Sequence, residues 1–111
     1  MNRLKKIQML LGDSFDYISS NYKIREQNIN KNIDYLFFNS VLNSFVIIEI
    51  VKENVTIKQV KDMSYYIKYV DRNLKEKNNS KTLGIIIRNK DNNLILEYVS
   101  NFDIFRKVYK L

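Results

Sequence analysis

Asn32-Ile-Asp-Tyr-Leu-Phe-Phe-Asn39 and, a short turn later, Phe45-Val-Ile-Ile-Glu-Ile-Val-Lys52 decide how this chain folds. Both stretches are dense in β-branched and aromatic residues, so each reads as a strand, and the turn between them makes an antiparallel pair. Each also carries one carboxylate inside an apolar run, Asp34 in the first and Glu49 in the second. Side chains alternate along a strand, which puts Asp34 with Leu36 and Phe38, and Glu49 with Phe45, Ile47 and Val51. Pairing of the two strands then lets both acids meet on one face. Two bare carboxylates about 4 Å apart repel by about 4 kcal/mol at an effective dielectric of about 20. Such a pair requires a bound cation or a shifted pKa. The other reading of each acid is a strand-end carboxylate that faces water.

Outward from this pair, Leu4, Ile7, Met9, Leu10 and Leu11 give a short amphipathic helix that Gly12 can stop. Phe15, Tyr17 and Ile18 continue the core, residues 22–26 alternate as a first strand, and residues 27–32 are an Asn-rich turn. The second and third strands span 33–38 and 45–51. From 56 to 74 the period becomes helical, with Val60, Met63, Ile67, Val70 and Leu74 on one stripe. A polar loop over 75–81 leads to the continuously apolar run 83–88, suited to a buried strand, and then to a turn over 89–93. Residues 94–100 read as a second short helix and 105–111 as a last strand. The predicted order is α-β-β-β-α-β-α-β: one α/β domain over residues 1–111, with a central mixed β-sheet flanked by helices on both faces.

Composition narrows the chemistry. The 111 residues include no Cys and no His, which removes thiol nucleophiles, thiolate zinc sites, disulfides and imidazole bases. What remains is Asp, Glu, Lys, Tyr, Ser and Thr, with a hard, oxygen-liking ion such as Mg²⁺ or Mn²⁺. The net charge of +7 favours a polyanionic partner, nucleic acid first, because cations that neutralise phosphates release counterions. A/T-rich codons, which enrich Lys and Asn together, are an equally good source of that charge. No apolar run approaches the ~20 residues of a membrane span, and the start of the chain is too polar for a signal-peptide core, so the expectation is a cytoplasmic protein with no membrane partner.

Five motifs carry a resemblance: Ile33-Asp-Tyr-Leu-Phe-Phe-Asn39, Val46-Ile-Ile-Glu-Ile50, Asp62-Met-Ser-Tyr-Tyr-Ile-Lys-Tyr-Val-Asp71, Leu83-Gly-Ile-Ile-Ile87 and Leu96-Glu-Tyr-Val99. In this order, over nearly the whole chain, they resemble the nuclease domain of the YhcG-like proteins, a bacterial branch of the PD-(D/E)xK superfamily. The resemblance implies a restriction-endonuclease-like core and a metal-dependent nuclease, with Asp34 and Glu49 as metal ligands. It also implies a lysine two residues after the Glu, on the same face, that orients the attacking water.

The chain departs from that pattern at three places. Val51 stands where the lysine belongs, and Lys52 points to the opposite face unless a bulge turns the strand. In some relatives the lysine role lies on the following helix, which makes Lys58 and Lys61 the catalytic candidates, against the plainer reading of a solvated helix face. Asp62 occupies the family's Gln position and is a candidate third metal ligand. The acidic residue often found on the first helix is replaced by Lys5, Lys6 and Gln8. Lys52, Lys58, Lys61 and Lys68 are the lysines expected along the nucleic acid. Two functions follow: a Mg²⁺-dependent or Mn²⁺-dependent DNA endonuclease, in which case a homodimer would cut both strands, or an inactive nuclease fold that binds DNA or a protein partner.

Overall fold

A computed structural model of the protein describes residues 2–109, in the order α1 (Arg3–Leu11), β1 (Phe15–Lys23), β2 (Asn32–Asn39), β3 (Ser44–Val51), α2 (Ile57–Asn73), β4 (Leu83–Lys90), β5 (Asn93–Val99) and α3 (Phe102–Tyr109). The five strands form one sheet in sequence order. Every neighbouring pair is antiparallel except β3 and β4, which run parallel because α2 carries the chain back across the sheet between them.

Helices cover both faces. Ile7 and Leu11 of α1 and Phe105 of α3 pack with Phe37, Val46, Ile48, Ile85 and Ile87 on one side. Met63, Tyr66, Ile67, Tyr69 and Val70 of α2 pack with Ile33, Leu36, Ile47 and Ile86 on the other. The period-two alternation along β3, β4 and residues 35–37 of β2 is what divides these apolar residues between the two layers.

Local chemistry sets the helix ends. The Asn2 side chain accepts from the Lys5 N–H at the start of α1, and Gly12, at φ 100°, ends it. Thr56 and Gln59 form a reciprocal capping box at the start of α2. Gly84 lets β4 lie directly beneath α2: a Cβ there would stand 2.5 Å from Met63 Sδ.

The α/β class, the mixed sheet, α1, β2, β3, α2 and β4 match the sequence reading, and three expectations are corrected. The first strand begins at Phe15, not at residue 22. It is an edge strand with a register slip between Tyr17 and Ser19, and it leaves Tyr17 and Ile18 exposed rather than in the core. Residues 94–100 are not a helix; Asn93–Val99 is strand β5. It follows a two-residue hairpin turn in which Asp91 and Asn92 both have positive φ, the requirement of a type I′ turn. The last element is helix α3 rather than a strand. It is started by Asn101, whose side chain accepts from the Ile104 N–H, and is held by buried Phe105; residues 110–111 of the expected strand lie outside the described residues.

Candidate active site

The antiparallel ladder between β2 and β3 runs from Asn39 opposite Ser44 to Tyr35 opposite Ile48 and goes no further. β3 continues beside β4, pairing Glu49 with Ile86 and Val51 with Arg88, while β2 stays paired with β1 as far as Asn32 opposite Lys23, so the β1–β2 ribbon parts from β3. At this parting, the two carboxylates take over from the ladder. Glu49 Oε2 accepts from the Asp34 N–H at 2.6 Å, and Asp34 Oδ2 accepts from the Ile50 N–H at 2.9 Å. Each acid therefore satisfies a main-chain donor of the opposite strand beyond the last rung of the ladder.

Both acids open into a cavity of about 270 Å³ beneath the first turns of α2, lined also by Ile50, Val51, Gln59, Asp62 and Ile86. Burial pushes the Asp34 carboxyl up, against the opposing effects of the Ile50 N–H and of Arg3. Burial, with the Asp34 charge next, pushes Glu49 from 4.5 to about 8, only partly offset by the Asp34 N–H. Tyr66, buried and facing Glu49, Asp62 and Asp34, is pushed up to about 12 by burial first and then by these three charges. The pocket is thus short of positive charge at the place where two hard oxygen donors meet. That donor set fits a Mg²⁺-like ion, which binds one or two carboxylates and keeps several waters.

Asp62 lines the same cavity, but both its oxygens are engaged. Lys31 Nζ lies 2.9 Å from Oδ1 and Lys58 Nζ 3.0 Å from Oδ2. Partial burial works to raise the Asp62 carboxyl, and the two lysines outweigh it and hold it below the usual range. Among the described residues no group of three Asp, Glu, His or Cys side chains is placed to hold one ion. Val51 sits on the Glu49 face and lines the cavity. Lys58 reaches the site only through Asp62, while Lys61 is exposed on α2 outside the lining. Lys52 borders a separate groove with Arg88, Lys90 and Asp91, and Lys68 borders a cavity of about 260 Å³ with Ser64, Lys81 and Thr82. The four lysines expected along nucleic acid therefore do not form one patch around the acids.

Sequence reasoning missed Lys31 and Tyr66. Tyr66 carried a readable signal, since it lies one helical turn after Asp62 and so shares its face. Lys31 carried none, because its partner is 31 residues away.

A mixed sheet with an acid on each of two neighbouring strands, meeting where those strands part, agrees with the PD-(D/E)xK nuclease-like domain that the five motifs resemble. The chain belongs to the YhcG PDDEXK nuclease domain family, whose model matches residues 1–108. Among solved structures, a repair endonuclease from Pyrococcus abyssi is similar at a TM-score of 0.56 and 16% identity, over 79% of this chain and 33% of that one. The EndoMS–dsDNA2 complex is similar at a TM-score of 0.56 and 13% identity, over 75% of this chain and 33% of that one. The likeness is one of fold, and the match spans about a third of each neighbour. No protein of curated function matches the chain.

Proposed function

We propose that this domain is a Mg²⁺-dependent or Mn²⁺-dependent endonuclease that hydrolyses DNA phosphodiester bonds, with Asp34 and Glu49 as the ligands of the ion. The observation that carries this reading is the reciprocal bonding of the two acids across the β2–β3 parting, inside a cavity, in a chain of a nuclease family. When bound, such an ion polarises the scissile phosphate and makes a water acidic enough to attack it. The chain's own contribution is position. The Asp34 and Ile50 N–H groups fix both carboxylates, and the apolar floor of Val51 and Ile86 lowers the local dielectric. DNA as the substrate is supported by the net charge of +7 and by a neighbour of the same fold solved with dsDNA.

A second reading, a nuclease fold that holds DNA without cutting it, is favoured by one observation: Val51 brings no amine to the cavity. A cleavage and gel-shift panel on supercoiled, linear, single-stranded and branched DNA, with Mg²⁺, Mn²⁺ or EDTA, separates the two. Metal-dependent cutting that Asp34→Ala abolishes is expected, and binding without cutting selects the second reading. In the supercoiled arm, nicked circles indicate one site acting alone, and linear product indicates two copies acting on one duplex.

A further inference from the structure

Asp62, which lines the cavity with Asp34 and Glu49, joins it to two lysines outside the lining that the nuclease reading does not use. Asp62 presents each of its two oxygens to its own ammonium, Lys31 from the β1–β2 loop and Lys58 from the first turn of α2. A carboxylate between two cations matches the charge and the paired oxygens of a phosphodiester. Lys31 is also held in place by its surroundings. The Ile24 N–H bonds the Lys31 carbonyl at 2.9 Å, and the Arg25 N–H donates to the Tyr69 hydroxyl at 3.1 Å. Glu26 accepts from the Tyr65 hydroxyl and lies 3.6 Å from Arg72. The loop is therefore fastened to α2 at several points, while the amines stay accessible: the Lys31 and Lys58 side chains are 37% and 78% exposed. Ion pairs so open to water are individually weak, so a phosphate that reaches the site can displace the carboxylate.

We propose that Lys31, with Lys58, contacts the phosphodiester at this site and supplies the positive charge that Val51 does not, and that Asp62 holds both lysines as an internal stand-in for the phosphate until DNA arrives. The proposal rests on the nuclease reading for its catalytic half. Lys31 then reaches the site at Asp62, on a segment that precedes Asp34 instead of following Glu49. Asp62 in this arrangement keeps the amines ordered and repels DNA until they exchange partners.

The test uses the full chain, a short duplex read by fluorescence anisotropy in EDTA, Mn²⁺ binding read by electron paramagnetic resonance, and Mg²⁺-dependent cleavage. Asp62→Asn is expected to bind the duplex about tenfold more tightly. Lys31→Met is expected to bind about tenfold more weakly, with a salt slope smaller by about one. The gain from Asp62→Asn should shrink when Lys31→Met is also present and vanish when Lys58→Met is added to both, since the two freed amines are its source. Lys31→Met should slow cleavage about 100-fold with Mn²⁺ affinity unchanged, as loss of a transition-state donor does. Lys107→Met, an exposed lysine of α3 on the far face, is the control for bulk charge. If Asp62→Asn binds no more tightly and Lys31→Met behaves like Lys107→Met, the lysines merely brace the loop against the helix and the proposal falls. Cleavage by the wild type with a flat mutant cycle overturns this proposal alone. A wild type that cuts nothing overturns the nuclease reading, and the anisotropy cycle then still decides whether Lys31 and Lys58 contact phosphate.

Discussion

Replacing Glu49 with Gln tests the electrostatics of the site directly. The amide keeps an oxygen to accept the Asp34 N–H but carries no charge. In the unfolded chain the Glu49 carboxyl releases its proton near 4.5, and in the folded one near 8, so between those values the native state holds the extra proton. Whatever this group contributes to stability is full at low pH and is lost as pH rises to about 8. A displacement of that size corresponds to about 5 kcal/mol at most, and water reaching a half-buried carboxyl reduces it to about 2–3 kcal/mol. For a domain of this length, that is a melting-temperature difference of roughly 10–20 °C. Thermal unfolding in EDTA from about pH 5 to about pH 9 should show the wild type losing stability and Glu49→Gln staying nearly level, the curves parting most at the alkaline end. Mg²⁺ should restore the wild type there and leave Glu49→Gln unmoved. A Gln variant that tracks the wild type across the range, or melts below it at high pH, refutes the claim that Glu49 shares a half-buried pocket with the Asp34 charge.

Val51→Lys places an amine beside Glu49 on the same face; cleavage should rise about tenfold or more, and an unchanged rate with intact Mn²⁺ binding would show that the charge is already supplied from elsewhere. Gly84→Ala drives a methyl to 2.5 Å from Met63 Sδ and 3.0 Å from Ile67 Cδ1, so chemical denaturation should show a loss of about 1–3 kcal/mol. Asp34→Asn should weaken Mn²⁺ binding by about an order of magnitude or more in a direct titration, while raising the metal-free melting temperature by removing repulsion.

The legible part of this fold is its interior. β2, β3 and β4 are packed on both faces, so each is dense in aliphatic and aromatic residues, and α2 shows its apolar stripe over 17 residues. The misread parts lie at the sheet edges. β5 carries an irregularity against β4 between Ile86 and Ile87, which moves Tyr98 to the α2 face after Leu94 and Leu96 have faced α1 and α3. The apolar residues at 94, 95, 96, 98 and 99 include the pairs 94/98 and 95/99, a spacing that imitates a helix. Asp91-Asn92 was the corrective signal, since both residues tolerate the positive φ that a two-residue hairpin needs. In α3 the aromatic and β-branched content argued for a strand, and the burial of Phe105 overrode it. For the site, Asp34 and Glu49 could be read because a carboxylate within an apolar strand is costly wherever it lies. Lys31 could not be read, because it gains its place only when the β1–β2 loop docks on α2.

The separation of Asp34 and Glu49 by only 15 residues, within one antiparallel meander, bears on how the chain reaches its native state. Hairpin pairing closes a short loop, whereas β3 and β4 meet only after all of α2 has been laid down. The two acids thus converge in the early, local part of folding, and their repulsion raises the barrier itself rather than only the final state. Metal that binds the meander would then act as a folding accelerant, steepening nucleation as well as slowing escape. In stopped-flow chevrons, Mg²⁺ and Asp34→Asn should each speed refolding. An effect confined to the unfolding limb would mean that the acids meet only once α2 has closed over them.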